Sequence, residues 1–369
     1  MNKDDFFRGK MNYFFKKKKT DFSSIFSASY ILLVSFLAIF ASHIIPDKTE
    51  NANQMLLAVH SQQPGFKTWI LKKPLIQNSL STDNEFKEIG YELIPIKEYY
   101  FQEETLFFYP FGSSSKKDSI PVQYFQNSNP KYIEENFLVK KKYYLGTDLY
   151  GRDLLSRLIL GSRISLGIGL IAVFISLLVG VLFGAIGGYF GGSIDRLIMT
   201  LINVVWAIPT LLLVIAIVLA LGRGLWQVYL AVGLSMWVEV ARVVRGQVKS
   251  TKEKMYIQAV KVLGFSDFRI LLKHILPTVI SSLIVISAAN FASAILMESG
   301  LSFLGIGAQP PTPSWGGMVK DHFRYLLLGK AYLALLPGAA IMLLVLSFML
   351  LGNNLRDHLD VRNRSKIID

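Results

Sequence analysis

The chain has 369 residues, 52% of them hydrophobic, and carries 39 Lys and Arg against 26 Asp and Glu for a net charge of +13. Apolar residues gathered into long uncharged blocks exclude an ordinary soluble domain, and the absence of cysteine excludes disulfides and thiol chemistry. The positive charge does not point to nucleic acid, because no basic soluble domain accompanies it.

Residues 1–21 form a basic amino terminus that includes Lys16-Lys17-Lys18-Lys19, and residues 22–45 form the first apolar run. That run exceeds a signal-peptide core and reads as an uncleaved anchor with the amino terminus inside. Residues 46–143 form an insertion large enough for a small domain. In it Tyr99-Tyr100-Phe101 and Phe107-Phe108-Tyr109 sit among polar residues, and Pro95, Pro110, Pro121 and Pro130 punctuate the segment. Short strands and turns are expected there. The insertion is read as a domain packed on its own aromatic cluster, with a docking surface as the alternative.

From Leu145 to Leu158 the pattern predicts a short amphipathic helix capped by Asp148. Leu154, Leu155 and Leu158 would then lie on the membrane surface, with Arg152, Asp153 and Arg157 in water. This reads as an elbow into the bilayer rather than a ligand site.

Residues 22–45, 164–187, 197–221, 275–297 and 331–351 each provide at least 21 residues free of Asp, Glu, Lys and Arg. A crossing helix needs about 20. Residues 225–244 supply a sixth span that emerges early, because Glu239 and Arg242 lie near its end. With six spans both termini are cytoplasmic. The inside segments then hold 20 Lys/Arg against 10 Asp/Glu, and the outside loop 46–163 holds 15 against 14, as the positive-inside rule requires. Gly180, Gly184, Gly187 and Gly188 set small residues at helical spacing for close packing. Pro209 and Pro277 predict bends, either fixed or used in gating.

Residues 239–277 carry Arg242, Arg245, Lys249, Lys252, Lys254, Lys261, Arg269 and Lys273 between two apolar runs. They read as a cytoplasmic helix, a hinge at Gly264, and a second helix with Ser266 as cap and Asp267 in its first turn, ending at His274-Ile275-Leu276-Pro277. Basic side chains there would meet an acidic partner or lipid headgroups.

Reactive groups are conspicuously absent. No Gly-x-x-x-x-Gly-Lys-[Ser/Thr] loop cradles a nucleotide, and neither His-Glu-x-x-His nor Gly-x-Ser-x-Gly occurs. The five histidines are scattered, so no metal cluster is expected. Glu239 and Glu298 fall at the ends of the expected spans, leaving the interiors without an evident proton relay. Energy must come from another polypeptide.

Several blocks resemble one family, the inner-membrane permease subunits of binding-protein-dependent ABC importers, in their oligopeptide/dipeptide branch. The first block contains Gly146, Asp148, Gly151, Arg152, Asp153, Ser156 and Arg157. Gly188-Tyr189-Phe190-Gly191-Gly192 with Asp195 is similar to the first cytoplasmic turn, and Pro209 fits the span after it. Leu301-Ser302-Phe303-Leu304-Gly305-Ile306-Gly307 and Pro310-Pro311-Thr312-Pro313-Ser314-Trp315-Gly316 resemble an extracytoplasmic loop, and Pro337-Gly338 through Arg356-Asp357 the closing span. Tyr256, Gln258, Ala259, Gly264, Asp267, Arg269 and Pro277 match the coupling segment that sits in a groove of the ATPase subunit.

The resemblance implies an all-α polytopic membrane protein, with six transmembrane helices of type I ABC importer permease architecture and an extracytoplasmic insertion between helices 1 and 2. Residues 144–362 would form the core and 363–369 a cytoplasmic tail. The subunit would be non-catalytic and hold no cofactor, with ATP and Mg bound by two cytoplasmic ATPase subunits. A second permease, an extracytoplasmic binding protein and membrane lipid would be its other partners, in the cell inner membrane. The implied substrates are di- or oligopeptides, with nickel complexes or other small solutes open, and an autonomous channel or ion-coupled carrier as a different class. Asn203, Ser287 and Asn290 could line a pathway or simply join helices. Gln258 stands where the family usually has Glu, Val260 where Ala is common, Thr278 where Asn is common, and Asn203 and Asn353 where Asp is frequent.

Overall fold

Apolar runs become long helices here, and one soluble segment becomes a sheet. The structure, a computed structural model, describes residues 22–76, 88–112, 117–125, 127–222 and 224–359. The expectations for residues 1–21 and for the tail 363–369 lie outside them. The chain divides into two compact units, one holding 41–159 and 321–334, the other 1–40, 160–320 and 335–369.

The first apolar run forms α1 (Phe22–Ile39). In the unit of 41–159 follow β1 (Phe66–Ile76), β2 (Glu88–Gln102), β3 (Thr105–Pro110), β4 (Asp118–Pro121), α2 (Pro130–Phe137) and β5 (Leu138–Tyr143). They make an antiparallel sheet of order β4-β3-β2-β1-β5. Asn129 caps α2, its side chain accepting from the Lys131 N–H at 3.0 Å, with Pro130 in the first turn, where its missing N–H costs nothing. Leu106 and Phe108 point inward from β3 and join Leu71, Ile96, Ile133 and Phe137 in the core. Phe107, on the opposite face as strand alternation requires, stacks on Tyr100 at 5.4 Å. The aromatic cluster thus divides between the two faces of the sheet. Strands are longer than expected, β2 reaching 15 residues. Pro95 is tolerated within it because the β2–β3 register shifts between Ile96 and Tyr99, the kind of irregularity at which a strand accepts proline.

The other unit contains most of α3 (Leu154–Phe190), then α4 (Gly192–Trp206), α5 (Thr210–Leu221), α6 (Leu225–Lys252), α7 (Met255–Val262), α8 (Asp267–Phe303), α9 (Trp315–His322) and most of α10 (Tyr332–Leu359). Among the described residues α1, α3, α6, α8 and α10 are long and apolar enough to cross a membrane; α4 and α5 together, bent by 90°, would make a sixth.

Two expectations change. Residues 197–221 are not one helix: the chain breaks after Trp206 and restarts at Thr210, because Pro209 supplies no N–H and disfavours helix at the residue before it. Residues 225–244 form the first part of α6, which runs unbroken to Lys252, so the charged residues that follow continue the same helix. The helix after Gly264 does not end at Pro277. It passes through a π turn at Leu271–Ile275 into the span, the wider turn accommodating the proline that would interrupt an α ladder.

Gly180, Gly184 and Gly188 face α6, where an added Cβ would stand 2.5 Å from Val240 Cβ, 2.6 Å from the Ala241 carbonyl oxygen and 2.7 Å from that of Arg245. Small residues let these helices touch backbone to backbone. Arg163 ties α1 to α3, its guanidinium donating to the Ala38 carbonyl at 2.7 Å, which satisfies an orphan acceptor at a helix end.

Candidate functional site

The segment around Gly264 is built on a buried anchor. Ile257 of α7 is buried in a cluster with Ala185, Tyr189, Val244, Val248 and Ile270, and Val260 and Phe265 pack against it. Gly264 has φ +80°, the left-handed conformation that turns a chain out of a helix at little cost only for glycine, and its N–H donates to Lys261 O at 3.0 Å.

Polar ties brace the turn. The Tyr189 hydroxyl donates to Asp267 Oδ1 at 2.6 Å, fixing the start of α8 to the end of α3. Lys252 Nζ donates to the Tyr189 carbonyl. Arg245 grips Asp195 through two hydrogen bonds, Nη2 lying 2.7 Å from Oδ2, a bidentate pair that joins α4 to α6. The Arg269 guanidinium lies 4.6 Å from the centre of the Phe265 ring.

Around this braced turn the outer surface is unusually apolar. Met255 is 88% exposed, Val262 87%, Leu263 73% and Phe268 72%, while Tyr256, Gln258, Ala259, Gly264, Asp267 and Arg269 are also exposed. Clustered exposed apolar side chains on an ordered segment mark an interaction surface. Gln258 donates weakly to the Lys252 carbonyl at 3.3 Å, so its amide is turned back on the chain. Ser266 occupies the cap position but makes no side-chain cap bond. Pro277 sits beyond the π turn rather than on this surface.

The block from Gly146 to Arg157 corrects another expectation. No separate helix precedes α3, and Arg152, Asp153, Arg157 and Leu154 are all buried. Asp148 accepts from the Arg152 side chain at 2.6 Å and from the backbone N–H groups of Tyr150 and Arg152 at 2.8 and 2.9 Å. A second basic group, Arg157 Nε, lies 3.7 Å from it. Asp153 caps α3 instead, accepting from both the backbone and the hydroxyl of Ser156. Burial pushes the Asp153 carboxyl above its ordinary range, against the lowering effect of the Ser156 hydrogen bonds. Such charges leave water because each finds hydrogen-bonded partners. Gly146 and Gly151 both hold positive φ, and at Gly151 a Cβ would stand 1.9 Å from the Leu56 carbonyl oxygen.

The remaining sequence candidates disperse. Asn203 accepts from Arg242 at 2.9 Å, Ser287 donates to Leu283 O in its own helix, and Asn290 is buried. Pro209 marks the break before α5. Trp315 is buried against Gly161, where a Cβ would lie 2.7 Å from Trp315 Cδ1. Glu298 is fully buried and accepts from Ser302 at 2.6 Å. Sequence reasoning missed the exposed Met255, Val262, Leu263 and Phe268, and the Tyr189–Asp267 tie; apolar residues in a charged segment were the available signal for the first group.

Residues 180–365 match the model of the family described as the binding-protein-dependent transport system inner membrane component. The chain belongs to this family. The glutathione transport system permease protein GsiD of Shigella flexneri serotype 5b is 46% identical over 219 residues, covering 59% of this chain and 72% of that one. Its Escherichia coli O6:K15:H31 counterpart is 43% identical over the same coverage. Among solved structures, an inward-facing MetNI methionine ABC transporter is similar at TM-score 0.43 and 16% identity, covering 56% of this chain and 95% of that one. This chain is a multi-pass ABC importer permease subunit of the peptide-type branch.

Proposed function

We propose that this permease forms one half of the pore of an ATP-driven importer of small peptides, and that energy enters it through the surface around Gly264. One observation carries the coupling role: Met255, Val262, Leu263 and Phe268 stand exposed on a turn braced from beneath by Ile257 and the Tyr189–Asp267 bond. A rigid knob with an apolar outer face suits insertion into a groove, and rigid elements transmit displacement to the helices that bear them. The sequence carries no phosphate loop of its own.

Two cytoplasmic ATPases would bind ATP and Mg, a homologous permease would complete the pore, and an extracytoplasmic binding protein would deliver substrate. Counting the bent α4–α5 pair as one span gives six, with both termini cytoplasmic and residues 46–143 outside the cell inner membrane. ATPase closure would move α7, and with it α6 and α8, alternating access to a central path. The peptide assignment is supported by likeness to relatives named for glutathione, itself a small peptide.

Deletion of residues 256–268 tests the coupling surface. Expected is loss of ATPase co-purification while the chain still inserts with its partner permease. Retained co-purification with normal uptake would overturn the coupling role, and peptide transport by this chain alone in liposomes would overturn the importer reading.

A further inference from the structure

The break between α4 and α5 opens a small cavity of about 100 Å³ lined by Val205, Trp206, Thr210, Ser235, Glu239 and Ser293 among others. Non-helical backbone within a spanning segment is tolerated where it borders protein or a water-filled space, and interrupted spans border substrate sites in other transporters. Glu239 is the informative member. It lies midway along α6 with its side chain exposed, and among the described residues it makes no hydrogen bond or ion pair. Arg242, one turn on, could have neutralised it. Instead Arg242 donates to Asn203 at 2.9 Å and stacks at 3.8 Å on Trp206, itself a lining residue, so its charge stands at the edge of the cavity without pairing with Glu239.

A carboxylate on a membrane-crossing helix is costly unless it meets water or a cation, and such groups mark the paths of polar solutes. The two facing helix ends do not supply that cation. The carboxyl end of α4 and the amino end of α5 bring partial charges of roughly half a unit and of opposite sign, and Glu239 carries the full charge among the residues that line the cavity. An ionised carboxylate only accepts hydrogen bonds, and the hydroxyls of Thr210, Ser235 and Ser293 can also accept. The volume suits one small charged group with a few waters, since one water needs about 10–15 Å³ of such space.

We propose that Glu239 and the α4–α5 break form a binding site for the primary ammonium group of the passing substrate, the amino terminus of a peptide. This rests on the peptide-import reading above and adds a selective step within the permease itself. The remainder of the peptide stays in the central path, so the site reads one end and leaves sequence and length free.

The test uses the complete transporter, with partner permease, ATPases and binding protein, in proteoliposomes. Uptake of one tripeptide with a free amine is compared with that of its N-acetyl form, in wild type and in Glu239→Gln. Because the binding protein is unchanged, its own preference cancels between the two proteins. Expected is about a tenfold fall in the free-amine to acetyl uptake ratio, the scale of one charged hydrogen bond, with acetyl-peptide uptake held and Glu239→Asp intermediate. An unchanged ratio overturns the site, and an equal fall for both peptides assigns Glu239 to packing or subunit pairing and also overturns it. Wild-type transporter that imports neither peptide overturns the peptide reading itself. A second readout exploits the absence of cysteine from this chain. In Ser293→Cys, which places a thiol in the cavity lining and keeps Glu239, free-amine peptide should slow labelling by a small cationic thiol reagent, read from the mass of this chain. A thiol that labels at the same rate with peptide present would also overturn the site.

Discussion

At the scale of single residues, Gly264 joins sequence to mechanism most directly. A glycine after a helical run in a charged segment is legible as a turn, and the structure gives it φ +80° with no neighbour within 4 Å of an added Cβ. The demand is therefore conformational rather than steric. An L-residue in the left-handed region costs about 1–2 kcal/mol, whereas proline cannot adopt it and also loses the Gly264 N–H to Lys261 O bond. Gly264→Pro should leave the protein inserted but uncouple it, with ATP hydrolysis by the assembled transporter continuing while uptake falls at least about tenfold. Parallel measurement of phosphate release and uptake decides it; intact uptake would remove the pivot role. The partners of this turn were not legible, since Tyr189 and Asp267 are 78 residues apart and nothing local in either predicts the other.

Helices show where periodicity succeeds and where it misleads. The Gly180, Gly184 and Gly188 stripe predicted close packing, and these residues do face α6. At Gly184 the obstruction is the Ala241 backbone oxygen, 2.6 Å from an added Cβ, which cannot rotate away. Gly184→Leu should separate the two helices and cost about 1–3 kcal/mol as overpacking, read as a lowered unfolding temperature in detergent with the wild-type protein beside it. Hydropathy alone misjudged one neighbour. It credited residues 197–221 with a continuous span, although the chain turns by 90° around Pro209. Charge ends a hydrophobic stretch but not a helix: α6 continues through Arg245, which pairs with Asp195 of α4.

Over the whole molecule, the apolar blocks specified a membrane protein and the insertion specified something that could fold in water. The unit of 41–159 with 321–334 has its own core around Leu71, Ile96, Leu106 and Phe108 and a buried Asp148–Arg152 pair. A fragment of residues 41–159 should therefore be soluble, show β-type circular dichroism and unfold cooperatively; a featureless melt would show that the sheet needs the rest of the chain. Burial of Arg152 and Arg157 was the least legible feature. Sequence patterning rightly assigns such residues to water by default, and only long-range partners reverse that.

Sequence by itself determined the class, the family resemblance and the location of the segment around Gly264, because these depend on run length, residue type and local conformational preference. Tertiary structure alone decided which apolar side chains of that segment remain exposed, that the third apolar run is broken, and that Glu239 borders a cavity. Those outcomes depend on which surfaces meet: Ile257 is hidden and Phe268 bare because α3 and α6 cover one and leave the other, a choice that residues of equal hydrophobicity cannot record.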